Sequence, residues 1–268
     1  APIPTPETNE RRGRRPNLPP PVSSFVGRER AQAEVRRLLA GTRLLTLTGP
    51  GGVGKTRLAL EVAAGVVDAY ADGVWSVELA ALADPALVPQ GIAAAVGVRE
   101  GPGQPAEEAV LAWLRPRRAL LLLDNCEHLI DACARFAAAL LAAAPDVSLL
   151  ATSREPLRLA GETTWLVPSL SLPAPGAPAA PADLLTSEAV RLFLDRVNRA
   201  QPGFVLTPEN AAAVAELCYR LDGIPLAIEL AAARVRGLGV GQIVARLDDR
   251  FRLLAGGDRA ALSRQQTL

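Results

Sequence analysis

Short aliphatic runs alternate with longer stretches in which apolar positions recur every three or four residues, and this alternation continues to about residue 168. Arg43-Leu44-Leu45-Thr46-Leu47-Thr48, Val74-Trp75-Ser76-Val77-Glu78-Leu79 and Ala119-Leu120-Leu121-Leu122-Leu123-Asp124 have the length and composition of buried strands. Val147-Ser148-Leu149-Leu150-Ala151-Thr152 and Thr163-Thr164-Trp165-Leu166-Val167 add two more. Helical spacing appears at Ala31, Val35, Leu38 and Leu39, and again over residues 57–63, 85–96, 106–114 and 127–144. Strands separated by helices predict an α/β fold whose parallel sheet is covered by helices on both faces. From Pro168 to Pro181 the composition shifts to Pro, Ala, Ser and Gly. Beyond Asp183 only helical periodicity remains, over residues 187–200, 208–221, 225–235 and 241–247. The expected division is a flexible Pro- and Arg-rich linker over 1–22, an α/β domain over 23–168, a linker over 169–184 and a smaller all-helical domain over 185–268.

The joint between the first strand and the helix after it carries the strongest chemistry. Gly49-Pro50-Gly51-Gly52-Val53-Gly54-Lys55-Thr56 fits G-x-x-x-x-G-K-[ST], the phosphate-binding loop of P-loop NTPases. Glycines let the backbone turn its N–H groups towards phosphate oxygens, and the helix start adds the positive end of its dipole. Lys55 would reach the β- and γ-phosphates, and the Thr56 hydroxyl would ligate Mg²⁺. Lys55 is the only lysine in the chain, every other cationic side chain being arginine. A compact ammonium is kept where a planar guanidinium would fit badly among phosphates. The predicted function is therefore a P-loop NTPase with ATP or ADP and Mg²⁺ as its ligands.

Asp124 ends a run of four leucines, as the Walker B carboxylate that holds Mg²⁺ does. Thr152-Ser153-Arg154 ends the next strand, where Arg154 would sense the γ-phosphate by a charge-assisted contact. The residue after Asp124 is Asn125, which orients water but takes no proton from it, so Glu127 is the nearest candidate base and turnover is expected to be slow. Glu127 has a plainer reading, as an acidic first-turn residue facing a helix dipole. His128, the single histidine, reads as a packing or capping residue.

Composition narrows the rest. A net charge of +1 gives no bias towards nucleic acid, and the Arg11-Arg12-Gly13-Arg14-Arg15 cluster reads as a solvated charge run. Cys126, Cys133 and Cys218 have no metal-ligand spacing and read as small buried hydrophobes of a reducing cytoplasm. No apolar run approaches the ~20 residues that cross a bilayer, and no membrane partner is expected. Without methionine or a terminal stop signal, the chain reads as a fragment of a longer protein.

Val26-Gly27-Arg28-Glu29, the glycine loop, Leu122-Leu123-Asp124-Asn125, Ala151-Thr152-Ser153-Arg154 and Gly223-Ile224-Pro225-Leu226-Ala227 together resemble the signal-transduction ATPases with numerous domains, the STAND or NB-ARC class, over about residues 22–268. Within it, Leu122 to Leu129, Thr152 to Leu157 and Leu221 to Arg234 resemble the AfsR-like regulators, the Streptomyces antibiotic regulatory proteins. The resemblance implies that Val26, Gly27 and Arg28 border adenine and ribose and that Pro225 closes over the base. It implies further that Gly49, Gly51, Gly52, Val53, Gly54, Lys55, Thr56 and Arg57 hold the phosphates, with Thr56 and Asp124 on Mg²⁺ and with Lys55, Asp124, Glu127 and Arg154 as the catalytic set. In such relatives a DNA-binding domain precedes the ATPase, and a winged-helix segment and helical repeats follow, so the partners would be the protein's own DNA-binding and sensor domains and a nucleotide-dependent homo-oligomer. No direct DNA contact is expected of this stretch. The function implied is an ATP/ADP switch in a cytoplasmic activator of secondary metabolism, hydrolysing ATP slowly. Asn125, in place of a second acidic residue, keeps open the alternative of a nucleotide-locked scaffold without significant hydrolysis. A small-molecule kinase on the same loop is disfavoured by the long helical domain and the lack of an arginine-rich lid.

Overall fold

The computed structural model describes residues 17–99, 101, 103–173 and 181–247. Residues 1–16, which include the arginine cluster, part of the proline-rich 169–184 stretch and the segment from 248 onward lie outside the described residues. Among the described residues the chain forms two compact units. One comprises residues 17–23, 30–48 and 55–166, and the other residues 24–29, 49–54 and 167–247. The glycine run of the phosphate loop thus belongs to the second unit, and Lys55 and Thr56 to the first.

The first unit is built on a parallel five-stranded sheet in the order β2-β3-β4-β1-β5, with β1 Leu44–Thr48, β2 Val74–Glu78, β3 Leu120–Asp124, β4 Ser148–Thr152 and β5 Thr163–Leu166. Its helices are α1 Glu29–Gly41, α2 Lys55–Gly65, α3 Val88–Val96, α4 Ala106–Leu114 and α5 Ile130–Ala143. Side chains alternate across each strand, so Leu121, Leu123, Leu149 and Ala151 join Ile92, Val110, Phe136 and Leu140 of α3, α4 and α5 in one buried core. The other face buries Leu45, Leu47, Leu120, Leu122 and Leu150, on the side where α2 packs with Leu58 and Val62. Both faces are covered, as uninterrupted aliphatic strands require.

Two helix starts differ from the sequence expectation. The stretch from Pro85 opens as a 3-10 turn, Pro85–Leu87, capped by the Asp84 side chain, before α3 begins. After β3, Asn125 takes a left-handed conformation (φ 68°), Cys126–His128 forms another 3-10 turn, and Leu129 (φ −129°) delays α5 to Ile130. The outer edge of β2 is covered: the Asn17 carboxamide accepts from the Ser76 N–H at 2.6 Å and donates to the Ser76 and Ala95 carbonyls at 3.0 and 3.2 Å. Unpaired strand edges recruit other chains, and this contact occupies one.

The second unit is helical, with α6 Pro181–Leu184, α7 Glu188–Ala200, α8 Pro208–Arg220, α9 Pro225–Arg234 and α10 Val240–Arg246. Ser187 caps α7, and at the start of α8 the Asn210 side chain accepts the Thr207 N–H at 2.9 Å while the Asn210 N–H donates to the Thr207 carbonyl at 3.2 Å. Val190, Phe193, Leu217, Ile228 and Ile243 form its core, which also buries Leu170 from the proline-rich stretch.

Candidate functional site

In the sheet unit the proposed metal-binding pair is already in contact. α2 starts at Lys55, and the Thr56 hydroxyl donates to Asp124 Oδ1 at 2.7 Å. The neighbouring strand contributes Thr152, whose hydroxyl donates to the same oxygen at 2.6 Å and accepts the Asn125 N–H at 2.9 Å. Pairing of β3 with β4 at Leu123 and Ala151 is what brings Asp124 and Thr152 to adjacent strand ends.

The electrostatics of this cluster suit an anionic ligand with a cation. Burial pushes the Asp124 carboxyl above its ordinary range, and the Thr152 and Thr56 hydroxyls only partly offset this, while Glu78 and Glu127 add to the rise. Burial also pulls the Lys55 ammonium down, with Glu127 and Asp124 opposing that shift and Arg154 adding to it. A magnesium–phosphate group beside them would relieve both penalties, since each buried charge would gain an opposite partner. Glu127 Oε1 pairs with Arg154 Nε at 3.3 Å, and Glu127 Oε2 is buried with no hydrogen-bond partner. The proposed base and the proposed γ-phosphate sensor are therefore joined to each other.

In the helical unit the structure brings together most of the residues expected around the nucleotide. Gly49, Gly52 and Gly54 take φ of 144°, 77° and 94°, and Gly51 lies in the same turn. A Cβ on Gly52 would come within 2.9 Å of Leu226 Cβ, and the Leu226 N–H donates to the Gly52 carbonyl at 3.2 Å. Pro225 Cγ and Arg28 Nη2 each lie 3.8 Å from where a Gly54 Cβ would stand. Arg28 is buried, with φ of 65°, and its Nη2 donates to the Val53 carbonyl at 2.6 Å, while Nη1 is buried without a partner. Burial lowers the Arg28 pKa, and Glu188 counters that shift. Val26 packs on the helical core, and Gly27 (φ 73°) turns the chain into Arg28.

The Arg57 guanidinium grips Ser23, donating to Oγ at 2.7 Å and to the carbonyl at 2.9 Å. Glu188 escaped the sequence reading. Glu188 accepts the Arg28 N–H at 2.5 Å and the Ser171 N–H at 2.9 Å, which fixes the turn at Gly27-Arg28. In sequence it looks like any acidic residue in a first helical turn. His128 uses both ring nitrogens, Nε2 on the carbonyls of Leu79 and Leu82 at 3.1 and 2.9 Å and Nδ1 on Asn125 Nδ2 at 3.3 Å. All three cysteines are buried and free.

Comparison with known proteins settles the family. The model of the novel STAND NTPase 1 family matches residues 21–159, which hold the glycine loop, Asp124 and Arg154. The chain belongs to that family. Among relatives of this STAND NTPase, a Mycobacterium tuberculosis protein named as a candidate HTH-type transcriptional regulator is 51% identical over 87% of the chain. An uncharacterised M. tuberculosis protein is 44% identical over 92% of it. The chain spans 25% of the length of the first and 60% of the second. Solved structures show the same fold at low identity. A STAND protein with a tetratricopeptide repeat sensor from Pyrococcus horikoshii covers 80% of this chain and 30% of its own, with 16% identity and a TM-score of 0.51. A Walker-type ATPase of Pyrococcus abyssi covers 93% and 79% respectively, with 15% identity and a TM-score of 0.57. No helix among the described residues is long and apolar enough to cross a membrane.

Proposed function

We propose that this STAND module binds ATP or ADP with Mg²⁺ and hydrolyses ATP slowly, as the nucleotide switch of a bacterial transcriptional regulator. The observation that carries the reading is the 2.7 Å contact of Thr56 with Asp124, which joins the last residue of the phosphate loop to the carboxylate ending β3. Thr56 and Asp124 would hold Mg²⁺, which takes few protein ligands and completes its shell with water and phosphate oxygens. When bound, the ion supplies charge neutralisation of the transferring phosphoryl group. Lys55 offers an ammonium already partly stripped of water to the β- and γ-phosphates, and the glycine loop offers backbone N–H groups.

Glu127 Oε2 is the acceptor for a proton from water, because it is buried without a hydrogen-bond partner while the other oxygen faces Arg154. That ion pair also supports the second reading, a module that retains nucleotide without significant hydrolysis. Arg154 occupies one of the two Glu127 oxygens, and Asn125 supplies no second carboxylate. The regulator named among the relatives, together with the AfsR-like runs around Asp124, Thr152 and Gly223, supports a role in transcriptional activation through domain closure and self-association.

The deciding experiment is ATP turnover with Mg²⁺ on the wild type, Lys55→Ala and Glu127→Gln, with bound nucleotide identified afterwards. Phosphate release by the wild type that both variants lose supports the ATPase. Nucleotide retained without release supports the locked scaffold, and unchanged nucleotide affinity in Lys55→Ala would sink both.

A further inference from the structure

We propose that His128 is a positioning residue for the hydrolytic water, acting by fixing which end of the Asn125 carboxamide is offered to the phosphate site. The proposal rests on the reading that this module hydrolyses ATP.

His128 is exposed at the surface, yet both ring nitrogens have hydrogen-bond partners. Nε2 lies 3.1 Å from the Leu79 carbonyl oxygen and 2.9 Å from that of Leu82. Carbonyl oxygens only accept, so Nε2 must carry the hydrogen and share it between them. In that tautomer Nδ1 is an acceptor. Its neighbour at 3.3 Å is the Asn125 amide nitrogen, which only donates. The ring thus selects one of the two amide orientations, and with Nδ2 committed to the ring, Oδ1 is turned away from it.

Asn125 has little freedom to undo this choice. Its left-handed backbone is anchored by an N–H bond of 2.9 Å to Thr152 Oγ1, and that hydroxyl donates to Asp124 Oδ1. Leu79 is tied to the same strand end, its N–H donating to the Asp124 carbonyl at 3.1 Å. The segment from Asp124 to His128 is therefore closed into a loop against the turn after β2, and it carries the Asn125 carboxamide on the residue that follows Asp124. A water that donates to a carbonyl-type oxygen has its lone pair directed elsewhere, which is what attack on phosphorus requires. Were Nδ2 presented instead, it would donate to that lone pair and blunt it. Asn125 would touch the water, and His128 would act only through Asn125.

Two measurements test this. His128 is the only histidine in the chain, so ¹⁵N-histidine labelling, with a histidine-free purification tag, gives one set of ring nitrogen signals. The expected spectrum at neutral pH has a pyrrole-type Nε2 and a pyridine-type Nδ1, with Nδ1 moving in Asn125→Ala. An Nδ1-protonated ring, an imidazolium, or an Nδ1 signal indifferent to Asn125→Ala would overturn the proposal without any recourse to activity. The second measurement is turnover at saturating ATP. His128→Leu should lower kcat by about 10- to 100-fold with KM within about twofold. His128→Gln, whose amide can donate to the carbonyls and accept from Asn125, should recover part of the loss. In an Asn125→Ala background His128→Leu should cost nothing further. An equal loss in both backgrounds would make His128 merely structural and overturn its role alone. Absence of phosphate release from the wild type would overturn the hydrolytic reading and this role with it.

Discussion

Thr152 donates to Asp124 across the β3–β4 pair at 2.6 Å with the same hydroxyl that receives the Asn125 N–H, so one oxygen secures both the carboxylate and the turn that follows it. Thr152→Val keeps the shape and removes both bonds. The expected loss is about 1–3 kcal/mol of stability, because the Asn125 N–H and the Asp124 oxygen lose a partner in a largely buried place. Thr152→Ser should recover most of it. Urea denaturation of the three proteins decides the matter, and a Thr152→Val protein as stable as the wild type would show that water replaces the hydroxyl at no cost.

The Asp124 carboxyl predicts a pH signature in the nucleotide-free protein. Its folded pKa is raised by burial, so the folded state holds a proton more tightly than the unfolded chain does. Stability must then fall as pH rises from the ordinary carboxylate value of about 4 through the raised folded value, and level off above it. Asp124→Asn lacks this loss, so its melting temperature should gain on the wild type over that window. Thermal melts in both proteins across the acid range test the sign. A wild type that gains on the variant as pH rises would contradict it.

Lys55 should show the trade between stability and function at neutral pH. Its ammonium is disfavoured by burial. Lys55→Met keeps the length of the side chain and deletes the charge, so the nucleotide-free protein should melt higher than the wild type while losing the upward shift that ATP with Mg²⁺ gives the latter. Differential scanning calorimetry with and without nucleotide separates the two effects.

Gly52 combines a left-handed backbone with no room for a side chain, since an added Cβ would meet Leu226 at 2.9 Å. Gly52→Ala should cost about 1–3 kcal/mol from backbone strain and overpacking together. It should also weaken nucleotide binding by displacing the loop. Gly41→Ala is the control, because nothing lies within 4 Å of the added methyl and its φ is not left-handed. Equal denaturation midpoints for the two variants would refute the prediction.

Much of the sheet and of the meeting of Thr56 with Asp124 was legible in the sequence because each depends on local pattern. Four leucines followed by Asp124 fix a doubly buried strand and its polar end, and the loop motif fixes where α2 begins. What escaped depends on contacts far apart in the chain. Nothing local in Ser187-Glu188 distinguishes a helix cap from the carboxylate that holds the Arg28 turn, 160 residues away. The early turn at Cys126–His128 follows from Asn125 crossing into left-handed space, which the helical periodicity of the following residues conceals. The contacts of Asn17 with Ser76 and Ala95 come from a segment whose proline content suggested only a linker.

That segment carries a mechanical implication. Asn17 holds both backbone polar groups of Ser76 and a carbonyl at the end of α3, and so behaves as a one-residue strand clipped to the rim of the sheet. Any chain attached ahead of it is moored there. A pull from that side would be borne first by three hydrogen bonds in shear and by the rim strand β2, leaving the carboxylate at the end of β3 one strand away from the strain.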